Sequence, residues 1–166
     1  MNKKIHIDIC NPASVRAGVT QLRQYAEWIN TKAQELAERL ARYGLQRVQA
    51  GYAAVPYDGV KDYHVEVEQR GKNAYAIVAS GQTVLFLEFG SGIRYGAGHP
   101  LNAEYGMGPG TYPGQTHVPD PGYWWYTGTD GESHYSAGNA PSMAMYIAGM
   151  DMRMEIERIA REVFSE

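Results

Sequence analysis

The sequence predicts an α+β domain in which a long N-terminal helix and a C-terminal helix pack on one face of an antiparallel sheet. Three observations predict it: a long run of apolar residues with helical spacing, two pairs of alternating segments joined by turn residues, and a second helical pattern near the C-terminus. Because 166 residues are the size of one ordinary domain, we expect residues 1–166 to form a single unit.

The first helix is predicted by apolar residues spaced alternately four and three apart, which places them on one helix face. We expect Ser14 to cap this helix, because its hydroxyl can accept a hydrogen bond from an early backbone N–H. Gly44 is expected to end or kink the helix, or the helix continues through Val48. Before it, alternating isoleucines predict a short strand over residues 5–9. The apolar face comprises Val15, Val19, Leu22, Ala26, Ile29, Ala33, Leu36, Leu40 and Tyr43.

Two β-hairpins are predicted further along the chain. Residues 63–70 alternate between apolar and polar side chains, and a turn separates them from the apolar run at 74–79. An aromatic strand at 123–126 and a return strand at 132–136 flank an Asp-Gly turn. The short apolar run at 84–89 fits either a strand or two helical turns.

The segment between the hairpins is predicted to be a long loop, over residues 90–122. It holds nine of the 19 glycines and five of the eight prolines. Loops of this length are typically functional or mobile, so we expect it to be a mobile loop that orders against a partner. After the second hairpin, Asn139 and Pro141 are expected as the cap and early turn of a last helix that runs to about Phe164.

The composition excludes several classes of protein. The net charge of −3 argues against sequence-independent DNA binding, which usually needs a basic surplus. One cysteine, Cys10, cannot form an internal disulfide. The sequence has no apolar run long enough for a membrane span and no signal-peptide pattern at its start, so we expect action in the cytoplasm or in a particle assembled there.

No motif in the sequence predicts a cofactor, a metal site or a catalytic residue. The paired glycines lack the Lys-Ser/Thr of a phosphate-binding loop, and the five histidines lack metal-ligand spacing. Glu88, between Leu87 and Phe89, is the most suggestive candidate for a general acid. The favoured interpretation is structural: Glu88 accepts N–H groups from the following loop, or pairs with Arg94.

Two apolar features suggest contacts with other subunits. The strand that contains Trp124 and Trp125 must place aromatic rings on both faces, which favours a core on one side and an interface on the other. The last helix carries a second apolar stripe beside its main one, which could meet a neighbouring subunit. That stripe comprises Met143, Ile147, Met150 and Met154.

Several of these features together resemble the siphophage minor tail or neck proteins, the "gene-product-ten-like" putative tail components of lambdoid phages. The similar features are the long amphipathic helix before Pro56, the segment 86–92 (Phe-Leu-Glu-Phe-Gly-Ser-Gly), the Gly/Pro-rich loop with His99-Pro100, and Pro141 before the last helix. In this chain Ser142-Met143 replaces the family's apolar aromatic pair, and the loop after Gly92 is longer and richer in glycine.

The resemblance implies a non-enzymatic structural protein that forms a ring, of six copies, at the junction of head and tail. Its partners would be copies of itself, the head connector, and tail tube or terminator proteins, with DNA passing nearby without specific binding. It would reside in the virion, after assembly in the bacterial host cytoplasm, with no membrane contact. The residues expected at subunit or partner contacts are Glu88, Phe89, Gly90, Arg94, His99, Trp124, Trp125 and Met150.

Three alternatives stay open from the sequence. A cell-wall glycan hydrolase would use Glu88 as its acid and Trp124 and Trp125 to stack on sugars. A carbohydrate-binding module would use the same aromatic strand without catalysis. Within the phage class, a tail terminator is similar in size and composition to a neck protein.

Overall fold

The protein is described here by a computed structural model, which covers residues 4–57, 60–95, 98–108, 122–128 and 130–165. Its helices and strands confirm the α+β class, and they follow the predicted order apart from two differences. The strand predicted at residues 5–9 is absent, and residues 92–95 of the predicted loop form a short helix. Much of the predicted loop lies outside the described residues, as does Thr129 of the second turn. The elements are α1 (Pro12–Ala54), β1 (His64–Gly71), β2 (Ala74–Ser80), α2 (Val84–Phe89), α3 (Gly92–Tyr95), β3 (Trp124–Thr127), β4 (Ser133–Ser136) and α4 (Ala144–Ser165).

The long helix α1 begins earlier than the sequence predicts. Asn11 caps it by accepting hydrogen bonds from the backbone N–H groups of Ala13 and Ser14, with Pro12 at the first helical position. The prediction that Ser14 is the cap is therefore wrong; its hydroxyl accepts from the backbone N–H of Asp8 at 2.9 Å. With 43 residues, α1 is about 65 Å long.

Gly44 does not end α1, which continues through Val48 to Ala54, as one of the sequence alternatives predicts. A Cβ at this position would lie 2.6 Å from the sulfur of Met152 in α4. Glycine at position 44 therefore allows α4 to approach the backbone of α1.

The strand predicted over residues 5–9 is absent: residues 4–10 belong to no strand. A strand needs a partner for its backbone hydrogen bonds, and none of the described segments pairs with this one. Ile7 instead covers Gly18 of α1, where its side chain approaches to within 2.7 Å of the position a Cβ would take. Ile9, in contrast, is 85% exposed, so the alternation of isoleucines does not correspond to one buried face.

Both predicted hairpins are present, but the described strands form two separate two-stranded sheets. In the first, β1 and β2 pair antiparallel with Val65 opposite Ala79 and Val67 opposite Ile77. In the second, β3 and β4 pair antiparallel with Trp125 opposite Tyr135. The first hairpin contacts α1, and Val65 is buried in the core.

The core lies where α4 runs antiparallel along the C-terminal half of α1. Trp28 of α1 contacts Phe164 near the end of α4, and at the other end a Cβ on Gly51 would lie 2.6 Å from that of Ala144. The short segment 84–89, which periodicity leaves undecided, is the helix α2. The buried cluster consists of Val48, Tyr52, Val55, Val65, Leu87, Ala144 and Ala148.

The last helix begins at Ala144, three residues after Pro141. The expectation that Asn139 caps it is wrong, because the Asn139 side chain binds elsewhere. The residue before the helix, Met143, has a positive φ of 54°, and its carbonyl accepts the backbone N–H of Ile147 at 2.8 Å. The Ser142 hydroxyl accepts the N–H of Ala144 at 3.2 Å, and Glu88 of α2 accepts the N–H groups of the next two residues.

Candidate functional site

The carboxylate of Glu88 is buried at the N-terminus of α4, with only 5% of the residue exposed. It accepts hydrogen bonds from the backbone N–H groups of Met145 at 2.9 Å and Tyr146 at 3.1 Å. These are the second and third residues of α4, whose N–H groups have no partner within the helix. The positive end of the helix dipole also favours a negative charge here. Glu88 therefore performs the capping role from a distant part of the chain.

Two further side chains donate to Glu88. The phenol of Tyr52 donates at 3.1 Å, and burial together with the Glu88 charge raises the pKa of Tyr52, which keeps the phenol protonated. His99 lies 3.2 Å from Glu88 through Nε2 and accepts the backbone N–H of Leu101 at Nδ1. An Nδ1 that accepts must carry no proton, so the geometry assigns the His99 proton to Nε2, where it is donated to Glu88.

This arrangement leaves Glu88 poorly suited to act as a general acid. Four donors converge on its two oxygens, so the ionised carboxylate is the form that satisfies them all. A general acid needs a proton and a path to the substrate. Glu88 lies beneath His99, which is 4% exposed. The sequence predicted that Glu88 accepts backbone N–H groups, but these come from α4 and not from the loop that follows it.

The segment after Glu88 is held against the start of α4 by a second polar network. The backbone of Gly90 has a φ of 78°, and a Cβ there would lie 2.8 Å from the carbonyl oxygen of Asn139 and from the nitrogen of Pro141. Ser91 donates its N–H to the Asn139 carbonyl at 2.9 Å, and the Asn139 amide donates to the carbonyl of Phe86 at 2.8 Å. Glycine at position 90 is thus required by both the conformation and the close approach.

Phe89 packs beside this network. Its ring lies 4.3 Å from the His99 ring and 5.7 Å from the Tyr105 ring, measured between centroids. Arg94 lies in α3 and is exposed. Among the residues expected at partner contacts, Glu88 and His99 therefore make their contacts within the chain. Phe89 and Gly90 are half-buried, and for Phe89, Gly90 and Arg94 the contact with a partner stays a prediction.

The second hairpin presents an exposed aromatic cluster, formed by Tyr123, Trp125 and Tyr135. Trp125 is 65% exposed. Its ring centroid lies 5.6 Å from that of Tyr135, which in turn lies 5.3 Å from that of Tyr123. Tyr135 was not singled out from the sequence; the antiparallel register that pairs it with Trp125 could have identified it.

The opposite side of this hairpin carries an internal polar pair. The ring of His134 stacks on Tyr126 with 5.5 Å between centroids, and its Nε2 lies 2.9 Å from Asp130. Hydrogen bonding to His134 and to the backbone lowers the pKa of Asp130. These contacts fix the turn, and the three rings of the aromatic cluster on the other side are each at least 44% exposed.

The first part of α1 extends beyond the end of α4. We call residues 12–27 the N-terminal arm, because α4 ends beside Trp28. In the arm, every residue except Ser14 and Gly18 is exposed, including Leu22 at 51%. The apolar face that α4 covers further along α1 thus continues into the arm. There Ile7 covers Gly18, but Val15, Val19 and Leu22 remain 37–51% exposed.

Met150 lies on the outward side of α4, away from α1. With Ile147 and Met154 it forms an exposed stripe at spacings of three and four residues. Its role as a subunit contact stays a prediction. In the described parts of the chain, no group of three or more acidic, histidine or cysteine side chains is arranged to hold a metal ion.

None of the described helices is both long and apolar enough to cross a lipid bilayer. Comparison with known proteins finds no match to this chain among family models, curated proteins or solved structures. Functional inference therefore depends on the residues themselves.

Proposed function

We propose that this chain is a structural virion protein of a tailed bacteriophage. It joins head and tail, or completes the tail, as part of an oligomeric ring around the DNA channel. The observation that carries this proposal is the N-terminal arm, a helical extension whose apolar side chains stay exposed although Ile7 covers Gly18. The resemblance of segment 86–92 and of the loop with His99-Pro100 to phage neck proteins supports the head–tail junction as the location of this ring.

The apolar side chains of the arm are exposed to water in a single chain, and assembly would bury them. Val15, Val19, Leu22 and Tyr25 are each between a third and a little over half exposed. Complete burial of such a side chain is worth roughly 1.5–3 kcal/mol, so covering the exposed part would contribute about 1 kcal/mol for each. A partner that covers this face recovers stabilisation that the isolated chain lacks. Large exposed apolar faces commonly mark protein interfaces.

The role of Glu88 supports a structural function over a hydrolytic one. Its carboxylate joins α2 to α4 and accepts four hydrogen bonds from the chain itself. The position that the sequence offers as a general acid is thus part of the framework. The net charge of −3 suits a conduit that DNA crosses without adhering.

Electron microscopy of the purified chain tests this proposal. Negatively stained protein at high concentration is expected to show closed rings with a central hole, whose symmetry gives the copy number. Particles that stay the size of one chain, or that are irregular, would contradict a ring-forming protein. Rings that thread linear DNA without salt-sensitive retention would support the conduit; retention that falls steeply with salt would instead indicate phosphate binding.

Carbohydrate binding is a second candidate, favoured by the exposed cluster of Tyr123, Trp125 and Tyr135. Three aromatic rings facing outward on one hairpin could stack on sugar rings, as aromatic strands stack on other planar ligands. Glycan-array binding that disappears in Trp125→Ala but persists in Tyr126→Ala, on the opposite side of the strand, would establish it. If rings form and no glycan binds, the aromatic cluster would instead be assigned to contacts between subunits.

A further inference from the structure

A cleft of about 390 Å³ opens between α1, β2 and α4. Its lining is mainly apolar and includes no charged side chain; Asn73 and Tyr75 contribute the polar side-chain groups. Four alanines are among the residues that line it: Ala37 and Ala41 of α1, Ala74 of β2 and Ala148 of α4. Voids between apolar side chains cost contact energy, so an apolar group that enters this cleft would improve the packing.

The arm carries an apolar stripe of suitable chemistry, formed by Val15, Val19 and Leu22. These residues are exposed and uncharged, and they are spaced four and three apart on one helix face. Helices that dock into grooves use anchors with this spacing. The chain therefore presents an exposed apolar ridge, beside the Ile7–Gly18 contact, and an apolar cleft at a different place.

The arm of a chain cannot fill its own cleft. The arm and the α1 wall of the cleft belong to the same continuous helix, in which Val19 precedes Ala37 by 18 residues. At 1.5 Å per residue the two positions are about 27 Å apart along a rod. The ridge can therefore enter this cleft only in another copy of the chain.

We propose that the N-terminal arm of one copy docks into the α1/β2/α4 cleft of the next copy. The inference rests on the proposed ring function and names the surfaces that build the ring. Because ridge and cleft are different surfaces, the contact is head-to-tail, and repetition around an axis closes a ring when the rotation allows it. The flexible Met145 and Met152 in the cleft wall can adapt to the entering side chains.

One such contact is small. An arm of 16 residues is about 24 Å long and about 10 Å wide, so half its surface is on the order of 400 Å². Counting both partners gives roughly 800 Å², which is below the roughly 1,000 Å² expected of a stable specific interface. An isolated pair should thus be weak, whereas in a closed ring each copy makes two contacts. Assembly should depend steeply on concentration.

Cross-linking between two singly labelled chains tests the proposal. In a Cys10→Ser background, one protein carries Val19→Cys in the arm and the other carries Asn73→Cys, an exposed position at the edge of the cleft. The two are mixed at high concentration and treated with a short bis-maleimide. Gln24→Cys, on the opposite side of the arm, replaces Val19→Cys as the matched control. We expect roughly tenfold more mixed dimer with Val19→Cys than with the control.

Each outcome decides between distinct possibilities. Equal mixed-dimer yields, or none, would overturn the arm–cleft contact. Dimers of the Val19→Cys protein with itself as the main product would overturn it in favour of arm–arm pairing. A small apolar molecule retained in the cleft, detected by native mass spectrometry, would show a different occupant. If microscopy shows rings while the mixed dimer is missing, the inference fails and the proposed function survives. If the mixed dimer forms but only open polymers appear, the arm–cleft contact is supported and the proposed closed ring is contradicted.

Discussion

The phenol of Tyr52 and the carboxylate of Glu88 lie 3.1 Å apart in the core, although 36 residues separate them in the chain. Through this pair α1 is joined to α2, and through the other acceptor contacts of Glu88 α2 is joined to the first turn of α4. Three helices therefore depend on one buried negative charge.

We predict that Glu88→Gln lowers the free energy of unfolding by about 3 kcal/mol. The amide places two donors where four donors already converge, which leaves buried groups unsatisfied. Urea denaturation followed by circular dichroism measures this loss. Glu66→Gln is the matched control, since Glu66 is exposed on β1, and its effect should stay within about 0.5 kcal/mol. Equal stability of both variants would mean that Glu88 does not secure the fold.

The raised pKa of Tyr52 predicts how the free energy of unfolding responds to alkaline pH. Burial, aided by the Glu88 charge, raises the pKa of Tyr52 in the folded state. A raised folded-state pKa means that the stabilisation is fully present below the unfolded value of about 10 and is lost as the pH rises further. The unmodified protein should thus lose stability more steeply above about pH 10 than Tyr52→Phe does.

Urea denaturation at several pH values between neutral and strongly alkaline measures this difference. Tyr135→Phe, which removes an exposed phenol from the second hairpin, should keep the pH dependence of the unmodified protein. Parallel curves for the unmodified protein and Tyr52→Phe would show that Tyr52 ionises as readily in the folded chain as in the unfolded one.

A comparison of two glycines separates backbone strain from steric overlap. Gly90 and Gly106 both have positive φ, 78° and 65°, but a Cβ meets the Asn139 carbonyl at position 90 and open space at position 106. We expect Gly106→Ala to cost about 1 kcal/mol, from strain alone. Gly90→Ala should cost about 3 kcal/mol, because strain and overlap add. Thermal and urea unfolding of both variants measures the costs, and equal losses would refute the close packing at Gly90.

Leu22→Lys should separate assembly from folding. Leu22 is exposed in the arm, so the free energy of unfolding of a single chain should change by less than about 0.5 kcal/mol. A charge on the apolar face should nevertheless shift the protein to single chains in sedimentation velocity. Gln24→Lys adds the same charge on the other side of the arm and should assemble normally. If Leu22→Lys assembles normally, the arm does not form the interface between copies.

Local patterns in the sequence predicted much of the fold. The β1–β2 hairpin follows from period-two alternation around a turn, and α1 and α4 follow from apolar residues at helical spacing. These signals lie within a few residues of one another, so they are visible without tertiary structure. The misplaced cap of α1 is also a local matter: the pair Asn11-Pro12 is itself a helix-start signal, because Asn is favoured as a cap and Pro at the first helical position.

The remaining features depend on contacts between distant segments. Residues 5–9 alternate as a strand would, yet a strand forms only where a partner strand lies alongside. The donors to Glu88 come from positions 52, 99, 145 and 146, which no short motif connects. Asn139 resembles a helix cap by its position, but the tertiary structure uses its amide to bind the carbonyl of Phe86. The cleft likewise exists only once α1, β2 and α4 have come together.

The mass of the unmodified protein, measured by light scattering across a concentration series, tests the central claim of ring assembly most directly. The mass should rise from the 18.4 kDa of one chain to a single defined multiple as the concentration increases. A mass of one chain at every concentration would contradict self-assembly through the arm, and a mass that grows without limit would contradict closure into a ring.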